Sequence, residues 1–196
     1  MTTPRGDVRS LQHRALRGPV SILLATVMLA AGAALSGCAA SGGTVPGCGD
    51  PLRLAIIAQS VPSASYVPCI RSLAPGWNTS GFDPTQDGTS FLLDSDRSPG
   101  RPVTVRLTAA CNVSGASPSP SRAPGVLTYT RLDSITPRFT GTLYDVFPGG
   151  CTSYRFDFAL GSQIALVEQF EQAIGLYPRQ QLRLILKQEL GVELNP

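Results

Sequence analysis

Ser153-Tyr154-Arg155-Phe156-Asp157-Phe158-Ala159-Leu160 is the stretch that decides the fold. Tyr154, Phe156, Phe158 and Leu160 recur at every second residue, with Arg155 and Asp157 between them. That period of two builds one apolar face only on a half-buried β-strand. Upstream, Phe139-Thr140-Gly141-Thr142-Leu143-Tyr144-Asp145-Val146 reads as the partner strand. Pro148-Gly149-Gly150 between them is the turn of a hairpin. Val126 to Leu132 supplies another strand. Val103, Val105 and Leu107 alternate with Thr104, Arg106 and Thr108, and with Phe91-Leu92-Leu93 they predict a hairpin around Arg97-Ser98-Pro99-Gly100.

Downstream the period changes. Ile164, Val167, Phe170 and Ile174 recur at helical spacing, with Ser162 as N-cap and Gly175 after the end. A second helix starts near Pro178, carries Leu182, Ile185, Leu186 and Leu190, and stops at Gly191. Strands followed by helices predict an α+β domain: an antiparallel sheet of hairpins with two C-terminal helices packed on one face. A sandwich with a helical appendage is the alternative. The apolar segment Leu52–Gln59 fits a strand or a short helix. Pro62, Pro68, Pro75 and Pro84 predict mainly ordered loop over 60–88. Residues 113–125, with Ser117-Pro118-Ser119-Pro120-Ser121, read as a solvated low-complexity loop. No internal repeat is visible.

The N-terminal fifth has a different character. Arg5, Arg9, Arg14 and Arg17 precede an apolar run over residues 20–35, and small residues then lead to Cys38. Basic, apolar, small is the layout of an export signal. Leu35-Ser36-Gly37-Cys38 resembles the lipobox of bacterial lipoproteins. The resemblance implies cleavage between Gly37 and Cys38, a diacylglyceryl group on the Cys38 sulfur, further acylation such as palmitate, and attachment to membrane lipid at the outer face of the cell membrane. The run is shorter than the ~20 apolar residues a spanning helix needs. Residues 1–37 are then a cleaved signal peptide, 38–47 a lipidated cysteine with a flexible tether reaching about 15–20 Å, and 48–196 a single globular domain. A tether that short places any partner near the membrane.

Cleavage would change the chemistry. The formal charge of +3 resides in residues 1–37; the remaining 12 basic and 12 acidic residues cancel. Nothing then favours nucleic acid. The single histidine, His13, and both methionines also lie before Cys38. A chain without imidazole has no Ser-His-Asp or Cys-His chemistry and lacks the usual zinc and copper ligand sets. No G-x-S-x-G, P-loop or dinucleotide fingerprint occurs. No cofactor or metal is expected, and the balance favours a non-enzymatic role.

Cys48, Cys69, Cys111 and Cys151 remain, an even number in an exported chain, and read as two disulfides. Three connectivities are possible. Cys48–Cys69 with Cys111–Cys151 is favoured, because Cys111 ends one strand and Cys151 begins another. Arginine prevails over lysine (Lys187 alone after residue 37), and Ala, Gly and Pro are plentiful, as in a high-GC coding habit. Val67-Pro68-Cys69-Ile70, Pro75-Gly76-Trp77, Asp94-Ser95-Asp96-Arg97 and Phe147-Pro148-Gly149-Gly150-Cys151 resemble a group of small actinobacterial envelope proteins of unassigned function. The resemblance runs from about Cys48 to the end and transfers no activity.

Weaker features have plainer readings. Asp83, Asp87 and Gly88 lack the alternation of a calcium loop and fit a turn. Asp94 and Asp96 share a face only if their strand persists. Arg106, Arg131, Arg138 and Arg155 either converge on an acidic ligand or pair with Asp145 and Asp157 on a solvated face. Trp77 either plugs the core beside a disulfide or presents an aromatic surface. Three functions stay open: a lipid-anchored protein that binds or supports a membrane-proximal envelope partner, a carrier of a lipid or apolar molecule, and a histidine-free carboxylate hydrolase of wall polymer.

Overall fold

Alternation along the strands builds one large sheet with a single apolar face. The computed structural model describes residues 44–159 and 163–194; Gly37, Cys38, Leu160 and Ser162 lie outside them. Helix α1 spans Pro51–Ser60, followed by strands β1 (Tyr66–Ile70), β2 (Trp77–Thr85), β3 (Gly88–Ser95), β4 (Ser98–Thr108), β5 (Ser117–Ser119) and β6 (Leu127–Ser134). Strands β7 (Arg138–Phe147) and β8 (Gly150–Ala159), helix α2 (Gln163–Ala173), strand β9 (Ile174–Pro178) and helix α3 (Arg179–Leu190) complete the order. Strands pair antiparallel as β2-β3-β4-β8-β7-β6-β5, with a separate β1-β9 ribbon. This is the α+β arrangement that the periodicities predict, not a sandwich.

The cross-strand register explains the core. Val103 pairs with Phe156, and Val105 with Tyr154, while Leu143 pairs with Tyr154 from the other side. These residues are buried, whereas Arg155 and Asp157 point to solvent. Helix α2 drives Leu166 and Phe170 onto Tyr154, Phe156 and Phe158. Helices α1 and α3 close the other end of the face: Leu54, Ile57, Leu182 and Leu186 cluster with Leu107 and Phe147. The β7–β8 turn is Pro148-Gly149, since Phe147 pairs with Gly150. Gly149 has φ +72°, and a Cβ there would fall 1.9 Å from the Ser63 carbonyl oxygen, so only glycine fits.

Several local expectations change. Leu52–Gln59 is helical, begun by Asp50, whose side chain accepts from the Arg53 amide at 3.1 Å. The stretch 60–88 holds two strands where loop was expected. Its prolines are tolerated because β1 lies in a two-stranded ribbon and β2 is a sheet edge. The β3–β4 turn is Asp96-Arg97, because Ser95 pairs with Ser98. Ser117–Ser119 in the low-complexity loop pairs with β6. Gly175 does not cap α2, which ends at Ala173; it lies in β9, where a Cβ would sit 2.7 Å from Arg71 Nε and 3.0 Å from Cys48 Sγ. Ile164, assigned to the buried helix face, is exposed.

Two disulfides join Cys48 to Cys69 and Cys111 to Cys151, with Sγ–Sγ distances of 2.03 Å and 2.09 Å. The first staples the start of the domain to β1. The second ties the segment after β4 to the start of β8. The packed chain begins before Cys48: Val45 and Pro46 are buried, and Gly47 bridges Ile70. Of the expected 38–47 tether, residues 45–47 therefore belong to the packed body, and residues 38–43 lie outside the described residues.

Candidate functional site

Helix α2 stands between two features, one polar and one apolar. On the polar side, Asp145 occupies an inward position of β7, between Leu143 and Phe147, and is fully buried. Thr128 Oγ1 donates to its Oδ1 at 2.8 Å, and Tyr154 donates its hydroxyl to Oδ2 at 2.9 Å. Arg122 Nη1 donates to Oδ2 at 3.0 Å. Arg122 Nη2 donates to the carbonyls of Glu171 and Ile174 at 2.5 and 3.0 Å, and the guanidinium lies 5.0 Å from the Tyr154 ring centroid. The cation thus satisfies carbonyls left open at the C-terminal end of α2. Burial, reinforced by Asp145, holds the Tyr154 phenol well above its usual range, and Arg122 only partly offsets this. With both carboxylate oxygens occupied and no solvent access, the cluster fastens the 113–125 segment to the sheet and helix. It does not present a reactive group.

Beside this clamp is a recess of about 220 Å³ bordered by Arg71, Arg122, Glu171 and Gln172. Glu171 is half-buried. Burial raises its pKa; Arg122 opposes this, and Asp145 and Glu168 add to it. A carboxyl with a raised folded-state pKa contributes stability at acid pH that fades as pH climbs from the ordinary value of 4.5 through the raised one. Glu171→Gln is therefore expected to raise Tm at pH 7 and leave it unchanged at pH 4. Thermal unfolding of both proteins at the two pH values checks this, and a lower Tm for the variant at pH 7 would refute it.

On the other side of α2, a groove of about 170 Å³ opens between the helix and the sheet. Leu132, Phe139, Leu143 and Phe156 form its sheet wall; Ile164 and Val167 form its helix wall. Gly141 permits the arrangement, since a Cβ there would meet the Phe156 ring at 2.6 Å. Helix α2 leaves Leu132 at 52% and Ile164 at 73% exposure, too much for a closed core. Glu168 and Glu171 border the groove from the same helix.

The other candidates stay apart. Asp83 lies in β2 and Asp87 in the β2–β3 turn, and both are exposed. Asp94 accepts from Ser80 Oγ at 2.6 Å, whereas Asp96 lies in the turn facing Arg97 at 3.7 Å, so they form no catalytic pair. Arg138 pairs with Asp157, and Arg131 with Asp133 at 3.0 Å, while Arg106 and Arg155 stand exposed on the same outer face. The suggested surface role of Asp145 is replaced by burial against Arg122. Trp77 opens β2 and plugs the core, donating Nε1 to Gln169 at 2.9 Å; it belongs to the α2 cluster, whereas Cys69 belongs to the other. Among the described residues, no group of three or more His, Cys, Asp or Glu side chains is placed to hold a metal. No helix among them is long and apolar enough to cross a membrane.

Arg122 escaped the sequence reading because Ser-Pro repeats mark solvent. Asp145 carried a signal, since alternation from Leu143 to Phe147 places it on the apolar face and requires a buried cation nearby. Comparison with family models, curated proteins and solved structures returns no match. The site therefore stands on its own geometry.

Proposed function

We propose that the protein is a lipid-anchored extracytoplasmic binding protein. A diacylglyceryl group on Cys38 holds it at the outer face of the cell membrane. Its α2 groove receives an apolar side chain flanked by a basic group, presented by a membrane-proximal envelope partner. The carrying observation is the open apolar groove bordered by Glu168 and Glu171. Apolar walls with an acidic rim favour an amphipathic segment bearing Lys or Arg.

The competing functions find less support. A carrier needs a cavity of about 300–1,000 Å³; the α2 groove holds about 170 Å³, and the recess along α3 between Gln180, Leu184 and Leu194 about 280 Å³, both open at the surface. A glycoside hydrolase flanks its bond with two carboxylates; Glu168 and Glu171 approach from one helix and one side. A binding role without catalysis is the reading that the groove supports best.

Ile164→Asp tests it. The side chain is 73% exposed, so the fold and Tm are expected to survive. Capture of the partner crosslinked to full-length protein in native membranes should fall by about tenfold or more. Equal capture by wild type and variant would end the groove assignment. Radiolabelled palmitate incorporation, lost in Cys38→Ala, tests the anchor separately.

A further inference from the structure

We infer that the outer face of the α1–α3 helix pair rests on the lipid bilayer, so that the domain is held in one orientation at the membrane. The inference deepens the anchored reading and rests on it. Exposed large apolar side chains are not spread evenly over the molecule. Among the described residues, Leu52 and Ile56 of α1 and Leu184 of α3 stand exposed on the outer side of the pair, and Leu190 and Val192 are exposed at and just after the end of α3. Leu52 and Ile56 are 54% and 47% exposed and one turn apart, on the side of α1 away from buried Leu54 and Ile57. Leu184 is 53% exposed, opposite buried Leu182 and Leu186. The helices run antiparallel: Arg179 at the start of α3 donates to the Ala58 carbonyl near the end of α1 at 2.6 Å, while Pro51 and Leu54 share a recess with Ile185 and Glu189. Scattered apolar residues need no explanation, but a concentration on one helix pair does.

Chain geometry names the occupant. Arg53 donates to Thr44 Oγ1, which pins the first described residue beside the α1 face. Thr44 follows Cys38 by six residues, and six residues span about 20 Å at most. A domain of this size is about 40 Å across. With acyl chains inserted at Cys38, the surface near α1 can lie against lipid, and the far side of the domain cannot reach it. The charges nearby are balanced in number: Arg53 faces Asp50 at 3.3 Å, Lys187 faces Glu193 at 3.1 Å, and exposed Arg183 is offset by exposed Glu189 on the same helix. Contact is therefore apolar, by shallow insertion of Leu52, Ile56 and Leu184, and salt does not release it.

The test uses full-length lipidated protein reconstituted into phosphatidylcholine–phosphatidylglycerol vesicles whose acyl chains are brominated at a shallow position. Ile56→Trp reports on the helix face, and Leu132→Trp on the α2 groove. Buried Trp77 supplies a constant background. Bromine should quench the added Ile56→Trp emission by about half, at low and at high salt, and Leu132→Trp by far less. Leu184→Trp gives the same reading from the partner helix should Ile56→Trp fold poorly. Co-flotation with equal quenching at both positions, or none at either, would overturn the docking face and leave the anchor standing. Concentration-dependent crosslinking between copies through α1 would assign the face to a second chain and likewise overturn it. Failure to co-float, with no lipid mass on the Cys38 peptide, would overturn the anchor and the docking together.

Discussion

Reducing both disulfides is expected to unfold the domain at 37 °C, or to lower its Tm by well over 10 °C. The Cys48–Cys69 and Cys111–Cys151 bridges span 21 and 40 residues. Loop-closure entropy assigns about 3 kcal/mol to the shorter loop and about 4 kcal/mol to the longer. Together these rival the about 5–15 kcal/mol of net stability that a whole domain retains. Each bridge also fastens something the hydrophobic core holds poorly. Cys48 secures the chain start against a two-stranded ribbon, which is marginal alone. Cys111 secures the segment leading to Arg122 and the edge strand β5. Differential scanning calorimetry with and without reductant, thiols blocked after reduction, measures the effect. An unchanged Tm in the reduced protein would remove the staples from the account of stability.

Asp145→Ala is the second large effect. The carboxylate is fully buried, with Arg122, Thr128 and Tyr154 all directed at it. Removing it leaves the Arg122 side chain, only 16% exposed, without its ion-pair partner. Breaking a buried pair in this way costs about 3–5 kcal/mol. The loss should appear in urea unfolding as a lower midpoint with an unchanged slope. The double replacement Asp145→Leu with Arg122→Met removes both charges and should recover much of the loss, because the pair's desolvation cost goes with it. A double variant as unstable as Asp145→Ala would show that the clamp acts through geometry rather than charge compensation.

Residues 139–159 were legible because β8 lies in the middle of a half-covered sheet. Alternation of Tyr154, Phe156 and Phe158 with Arg155 and Asp157 has one physical solution. The turn Pro148-Gly149 and the α3 boundaries at Pro178 and Gly191 were readable for similar local reasons. What failed to show were elements whose pairing is decided at a distance. Trp77–Thr85 carries almost no apolar alternation, because an edge strand needs only one neighbour. Ser117–Ser119 is a strand only because β6 offers it an edge. Ile164 matched the helical period yet faces the groove, since α2 covers only part of the sheet beneath it. The groove and the Arg122 clamp are tertiary products of where α2 comes to rest, and local periodicity does not encode that position.

The β1-β9 ribbon has a kinetic consequence. Cys69 pairs with Gly175 across it, so the first strand made waits for nearly the last. Until residues 174–178 have emerged, Tyr66–Ile70 has no backbone partner on that edge. The intervening hairpins can zip locally, but the module cannot seal while its tail is still being synthesised or threaded. Closure is therefore a late, long-range event, and a nascent polypeptide truncated before β9 should remain open and accessible to proteases along β1.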